Sequence, residues 1–162
     1  MFSFAVYSVF LVEIILGFQE FGAKRAIQCR HGWIQNGSSC YHFGTDRETW
    51  LDAELICERF GAFLAEIDDP VENDFLQRQV DSRKVNFWVG GADTENEAEW
   101  MWMSSQRPIQ YTHWAPGEPN SYHNSDENCM DLRPRQAGWN DERCSLVQQY
   151  VCENNEPIPD LG

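Results

Sequence analysis

Two pieces of one polar stretch decide how this chain is read: Trp114-Ala115-Pro116-Gly117-Glu118-Pro119-Asn120 and Trp139-Asn140-Asp141-Glu142-Arg143-Cys144, with Glu127 and Cys129 between them. Glu118, Asn120, Glu127, Asn140 and Asp141 each offer a side-chain oxygen, and none of the five offers sulfur or imidazole nitrogen. Oxygen donors in turn-rich sequence suit Ca²⁺, which takes roughly six to eight of them in adaptable geometry. Mg²⁺ prefers a tighter octahedron, and zinc prefers nitrogen or sulfur. The three carboxylates bring a dication close to neutrality, and the two amides add oxygens without repulsion. The EF-hand spacing is absent, so a calcium site here has another architecture. A hydrated acidic loop is the competing reading of the same charges. Trp100, Trp102, Trp114 and Trp139 in the same region weigh against it, because large aromatics anchor loops that must hold a shape.

Outward from this stretch, the chain beyond Gly91 is irregular and rich in Gly, Pro, Asn, Asp and Trp. Roughly 45 residues without regular structure are unusual in a compact domain unless functional or pinned. Cys129 and Cys144 can pin them, and between Asp93 and Glu142 ten acids face only Arg107, Arg133 and Arg135. Apolar, strand-like sequence returns at Tyr150-Val151-Cys152. Upstream, the apolar run Phe87-Trp88-Val89-Gly90 reads as a central strand. Asp69-Pro70-Val71-Glu72 supplies a capping acceptor, a first-turn proline and an early acid, predicting a helix to about Val80 that buries Phe75, Leu76 and Val80. Trp50, Ala53, Cys57 and Phe60 fall on one stripe of an earlier helix stopped by Gly61, which turns Cys57 inward. Gly32-Trp33-Ile34 and Cys40-Tyr41-His42-Phe43 flank a turn at 35–39, consistent with a hairpin.

The whole chain has 162 residues, with 12 Lys+Arg against 26 Asp+Glu for a net charge of −14. This suits one domain and argues against nucleic acid or anionic membrane as a partner. Residues 1–17 are apolar apart from Ser3, Tyr7, Ser8 and Glu13, and are too short and interrupted for a spanning helix. Residues 1–23 read as a secretory signal cleaved between 17 and 23, leaving one domain over 24–162; a membrane anchor is the alternative. Losing Glu13 and Glu20 brings the charge to −12. All six cysteines (Cys29, Cys40, Cys57, Cys129, Cys144, Cys152) follow the signal and none forms C-x-x-C, so three disulfides in an oxidising compartment are expected. Spacing alone leaves their pairing open. Asn36-Gly37-Ser38 is an N-glycosylation sequon. The common hydrolase, zinc-protease and nucleotide-loop signatures are absent and the four His stand apart, so an enzyme is not expected.

The ordered landmarks Cys29, Cys40, Thr49-Trp50, Ala53-Glu54, Cys57, Phe87-Trp88-Val89-Gly90, Trp100-Met101-Trp102, Trp114, Glu118-Pro119-Asn120, Cys129, Trp139-Asn140-Asp141, Cys144 and Cys152 resemble a secreted C-type lectin domain of the long form over Cys29 to Glu153. The resemblance implies an α+β fold, two helices flanking small antiparallel sheets with a long calcium-binding loop region. It implies the disulfides Cys29–Cys40, Cys57–Cys152 and Cys129–Cys144, and a cis Pro119. It implies calcium held by Glu118, Asn120, Glu127, Asn140 and Asp141, with the same five binding sugar. Two vicinal sugar hydroxyls would complete the calcium shell, each donating to a carboxylate and accepting from an amide. Glu118-Pro119-Asn120 resembles the pattern that selects mannose-, fucose- and N-acetylglucosamine-type sugars rather than galactose. An accessory calcium site would map to Asp93, Glu97, Glu127 and Asn128; Ser121 and Asn128 each stand where members can carry Asp, which predicts weak or absent binding there. Tyr122, His123 and Asn124 lie on a loop one residue longer than in serum mannose-binding relatives, where Tyr122 could pack on a sugar. The function so implied is calcium-dependent binding of glycans on microbial or cell surfaces, with recognition or agglutination, and hence innate immunity, as its use. Multivalency would come from an oligomer through a surface the sequence does not show. An extracellular matrix, biomineralisation or protein-binding role on the same fold is the alternative.

Overall fold

The computed structural model describes residues 28–94, 96–121 and 126–155; residues 1–23, expected to be a signal, and Tyr122, His123 and Asn124 lie outside them. The elements are β1 (Ile34–Asn36), β2 (Ser39–Phe43), α1 (Trp50–Arg59), β3 (Phe63–Leu64), α2 (Pro70–Arg83), β4 (Phe87–Ala92), β5 (Met101–Trp102), β6 (Arg107–Pro108), β7 (Cys129–Leu132), β8 (Trp139–Glu142) and β9 (Gln149–Asn154).

Strands β4 and β9 form the spine. They pair in parallel, Phe87 with Gln149 and Trp88 with Tyr150, while every other strand pair is antiparallel. β2 lies on the far flank of β9, while β3 pairs Glu153 and Cys152 on the same flank as β4; β7 lies on the far flank of β4, and β5 pairs Gly91 and Ala92 on the flank that faces β9. All six residues of β4 are buried, because helices cover both of its faces. Alternation then sorts the side chains. Phe87 and Val89 join Val151 in the core beneath α2, with Phe75, Leu76 and Val80. Trp88 joins Tyr150 and Cys152 in the core beneath α1, with Trp50, Ala53 and Cys57. Two of the buried indoles find backbone acceptors: Trp50 Nε1 donates to Val89 O at 2.8 Å and Trp88 Nε1 to Glu48 O at 3.0 Å. Gly90 is required by the close approach of β3, since a Cβ there would stand 2.6 Å from Leu64 O.

The helix signals act as read. Asp69 Oδ1 accepts from Val71 N and Glu72 N at 2.8 and 2.9 Å, Pro70 opens α2, and Phe75, Leu76 and Val80 face inward. The helix runs one turn beyond Val80 and ends at Lys84 in the left-handed region. In α1, Thr49 caps and Cys57 is fully buried, but Phe60 is not part of the inward stripe. It is the C-cap, 40% exposed, edge-on to Trp33 and His42, because the chain leaves the helical path there and Gly61 takes φ +64°. The hairpin closes through Gly37-Ser38, with Asn36 opposite Ser39, so the sequon sits at the tip. The disulfides are Cys29–Cys40, Cys57–Cys152 and Cys129–Cys144.

The stretch beyond Gly91 is not strandless. β5 to β8 lie within it, and β7 and β8 form a hairpin pairing Met130 with Asp141 and Asp131 with Asn140. Their inward positions include Asp131, Asn140 and Asp141, all buried, so polar residues replace the apolar alternation that marks a strand. No helix among the described residues is long and apolar enough to cross a membrane.

Candidate metal centre

The β7–β8 hairpin presents Asn140 and Asp141, both under 5% exposed, and the Cys129–Cys144 disulfide ties its open end. The segment 113–121 is stitched alongside. Trp139 N donates to His113 O at 2.7 Å and Ala115 N to Trp139 O at 2.9 Å. Gly138 makes this contact possible: a Cβ there would lie 2.5 Å from both Ala115 N and His113 O, and its φ is +129°. Trp139 packs edge-on against Trp102, Tyr111 and Trp114, so the aromatics of this region do anchor the loop.

From that anchor the chain turns through Glu118 N to Ala115 O, and the Glu118–Pro119 peptide is cis. Asp141 Oδ2 then accepts from Asn120 N at 2.9 Å and Ser121 N at 2.7 Å. Asn120 Nδ2 donates to Glu118 Oε2, and Asn140 Nδ2 to the Asp141 carbonyl. Burial, then the Asp141 carboxylate beside it, push the Glu118 carboxyl above its ordinary range, with Arg133 opposing. Asp141 Oδ1 is buried and has no partner. The structure therefore brings Glu118, Asn120 and Asp141 together, and Asn140 is the preceding residue of β8. Glu127 is half-buried in the segment leading into β7, and among the described residues no three acids, histidines or cysteines converge into one cluster.

The accessory residues adjoin this group. Asp93 N donates to Asn128 O at 3.2 Å and Asp93 Oδ2 accepts from Ala98 N at 2.9 Å. Asp93 Oδ1 and Asn128 Oδ1 are both buried without a partner. Glu97 Oε1 accepts from Ser121 Oγ at 3.2 Å, which joins these residues to the Asp141 group. Burial first, then Glu97 and Asp141, raise the Asp93 carboxyl. Three orphaned acceptors, Asp93 Oδ1, Asn128 Oδ1 and Asp141 Oδ1, fit a hard cation, since buried oxygens without donors are costly unless something positive meets them.

A profile of the Lectin C-type domain matches residues 46–154. The chain belongs to the C-type lectin family. It is 34% identical to Perlucin of Haliotis laevigata over 136 residues, covering 81% of this chain and 85% of that one. It is 33% identical to a Perlucin-like protein of Mytilus galloprovincialis over 132 residues, covering 78% and 83%. Among solved structures it resembles the cow CD23 carbohydrate-recognition domain, crystallised in the presence of a GlcNAc2Man3 oligosaccharide, with a TM-score of 0.72 and 33% identity, covering 82% and 99%. The C-type lectin fold, its two helices and its three disulfides are thus in hand.

Two groups of residues escaped the sequence reading. Asn73 of α2 is buried and its Oδ1 accepts from Trp139 Nε1 at 2.8 Å. Glu66, Glu72 and Glu153 line a cleft of about 340 Å³ with Tyr41 and Arg107. Glu153 accepts from Ser39 Oγ at 2.7 Å and Glu66 N at 3.2 Å, Tyr41 donates to Glu72, and Arg107 bridges Glu66 and Asp68 at 2.9 Å each. Burial, with Glu72 second, pushes the Glu153 carboxyl up to about 8. Polar and charged residues signal exposure, so neither group announces itself from composition.

Proposed function

We propose that this C-type lectin domain binds mannose-, fucose- or N-acetylglucosamine-type sugars in a calcium-dependent way, outside the cell, to recognise or agglutinate microbes. Glu118, Asn120, Glu127, Asn140 and Asp141 would hold the ion and the sugar. The observation that carries this reading is Asp141: one oxygen fixes the backbone of Asn120 and Ser121, and the other is buried, unpartnered and next to Glu118. When bound, the cation would supply the positive centre on which two vicinal hydroxyls are held. The chain's part is to match the remaining capacity of those hydroxyls. Glu118 and Glu127 accept their protons, and Asn120 and Asn140 donate to their lone pairs. Asn120 Nδ2 donates to Glu118 Oε2, and a hydroxyl that donates to Glu118 and accepts from Asn120 would take the place of that bond. A sugar with a displaced hydroxyl leaves one of them unpaired, which is the source of selectivity. The oligosaccharide present with the cow CD23 domain supports the sugar class. One monosaccharide per domain binds weakly, so function on a surface calls for several domains displayed together. The three disulfides support a signal at residues 1–23 and an oxidising destination.

The test is retention on mannose-agarose in calcium and release by chelator, with galactose-agarose and a Glu118→Gln, Asn120→Asp variant alongside. Retention on mannose, release, and a shift of the variant toward galactose are expected. The net charge, −12 without residues 1–23, favours one second reading, an extracellular matrix protein that meets mineral. Saturable uptake of calcium at one or two sites supports the lectin, and high-capacity, low-affinity uptake supports the matrix protein.

A further inference from the structure

Three polar residues of α2 stand four apart: Asn73, Gln77 and Asp81. That spacing puts them on one stripe of the helix. Each holds the β7–β8 hairpin at a different point. Asn73 Oδ1 accepts from Trp139 Nε1 at 2.8 Å, Gln77 Nε2 donates to Arg133 O at 2.9 Å, and Asp81 Oδ1 accepts from Arg135 N at 2.7 Å. Gln77 Nε2 also reaches Asp81 Oδ1 at 2.9 Å, so the outer two members of the stripe are linked. Burial is graded, from Asn73 in the core through half-buried Gln77 to exposed Asp81. The three points span the connection between β7 and β8, from just after Leu132 to the residue before Asn140.

We infer that this stripe of α2, with Asn73 at its buried end, positions Asn140 and Asp141 for the site proposed above. Asn73 touches neither ligand; it acts through Trp139. That residue's indole is held by Asn73, its backbone by His113 and Ala115, and its carboxyl side continues into Asn140 and Asp141. The helix is a rigid element, anchored at its N-terminus by Asp69 and along its inner face by Phe75, Leu76 and Val80. The sheet therefore fixes β8 from one side and the α2 stripe fixes it from the other. An apolar residue at 73 leaves a buried indole N–H unpaired, which costs enough to make the indole seek another place.

The inference rests on the proposed site for its calcium arm but not for its structural one. Asn73→Leu removes the acceptor at similar volume, Asn73→Asp keeps an acceptor oxygen, and Leu76→Ala destabilises the same helix without touching the hairpin bonds. Amide hydrogen exchange of Trp139–Glu142 is followed in chelator, and calcium affinity is measured by titration well below the unfolding temperature. Asn73→Leu is expected to speed exchange in β8 about tenfold more than Leu76→Ala and to weaken calcium about tenfold, the size typical when a residue supporting a ligand is lost. Asn73→Asp should restore most of both. Exchange in β8 within twofold of the parent in Asn73→Leu, or equally raised by Leu76→Ala, would overturn the inference. A parent that takes up no calcium sinks the proposed function and leaves the exchange measurement to decide this one.

Discussion

Glu153 offers a quantitative test of how the fold treats its buried acids. The residue belongs to β9 and is 5% exposed, its carboxyl accepting from Ser39 of β2 and from the Glu66 amide. Burial and the nearby Glu72 raise it from 4.5 to about 8. Below the unfolded value both states carry the proton, and the group contributes its full stabilisation. Between about 4.5 and about 8 the folded state keeps a proton that the unfolded state has released, so stability falls as pH rises through this window. At 1.36 kcal/mol per unit the shift corresponds to on the order of 4 kcal/mol between pH 4.5 and pH 8.5. Glu153→Gln removes the titration while its amide can still meet Ser39 and the Glu66 N–H. Urea unfolding of the two proteins in chelator, at half-unit steps of pH, isolates this group as a difference and cancels the other acids. The variant should be the more stable by several kcal/mol at pH 8.5, with the advantage shrinking steadily toward pH 5. A difference that does not change with pH would refute the assignment of a proton to this site.

Mannose retention should weaken as pH falls through the carboxylate range, because protons compete with the cation for the site carboxylates; column elution across pH 7 to 4 checks this. Gly138→Ala places a Cβ 2.5 Å from His113 O and Ala115 N, so the loop must part from β8. A loss of about 2–4 kcal/mol in urea unfolding and of mannose retention is expected. Replacing Cys57 and Cys152 together by Ser opens a link across 95 residues, and chain-entropy arguments set the loss at about 4–5 kcal/mol, read in the urea midpoint.

How much of this was legible from sequence depended on whether the information was local. Asp69-Pro70 and the spacing of Phe75, Leu76 and Val80 carry their own helix, and the unbroken apolar run at Phe87 carries its own strand. The β7–β8 hairpin did not show, because Asp131, Asn140 and Asp141 are buried for a reason other than hydrophobicity. Phe60 fits the helical period but lies beyond the last turn, a boundary of one residue that periodicity cannot resolve. In the site, Glu118, Asn120, Asn140 and Asp141 were recognisable as an arrangement. Asn73 was not, since its partner lies 66 residues away and nothing about an asparagine in a helix says which face it serves.

Cys29 is bonded to Cys40 with Cα atoms 5.5 Å apart, and Cys40 pairs with Asn154 across the β2–β9 ladder. Adjacent antiparallel partners lie about 5 Å apart, so Cys29 and Asn154 lie within about 11 Å of each other. The domain is in effect a pendant hung from one point. It can be spliced into a loop of another protein, or strung in tandem, without disturbing its interior. A linker of a few residues would also let the ends be joined and the chain reopened elsewhere.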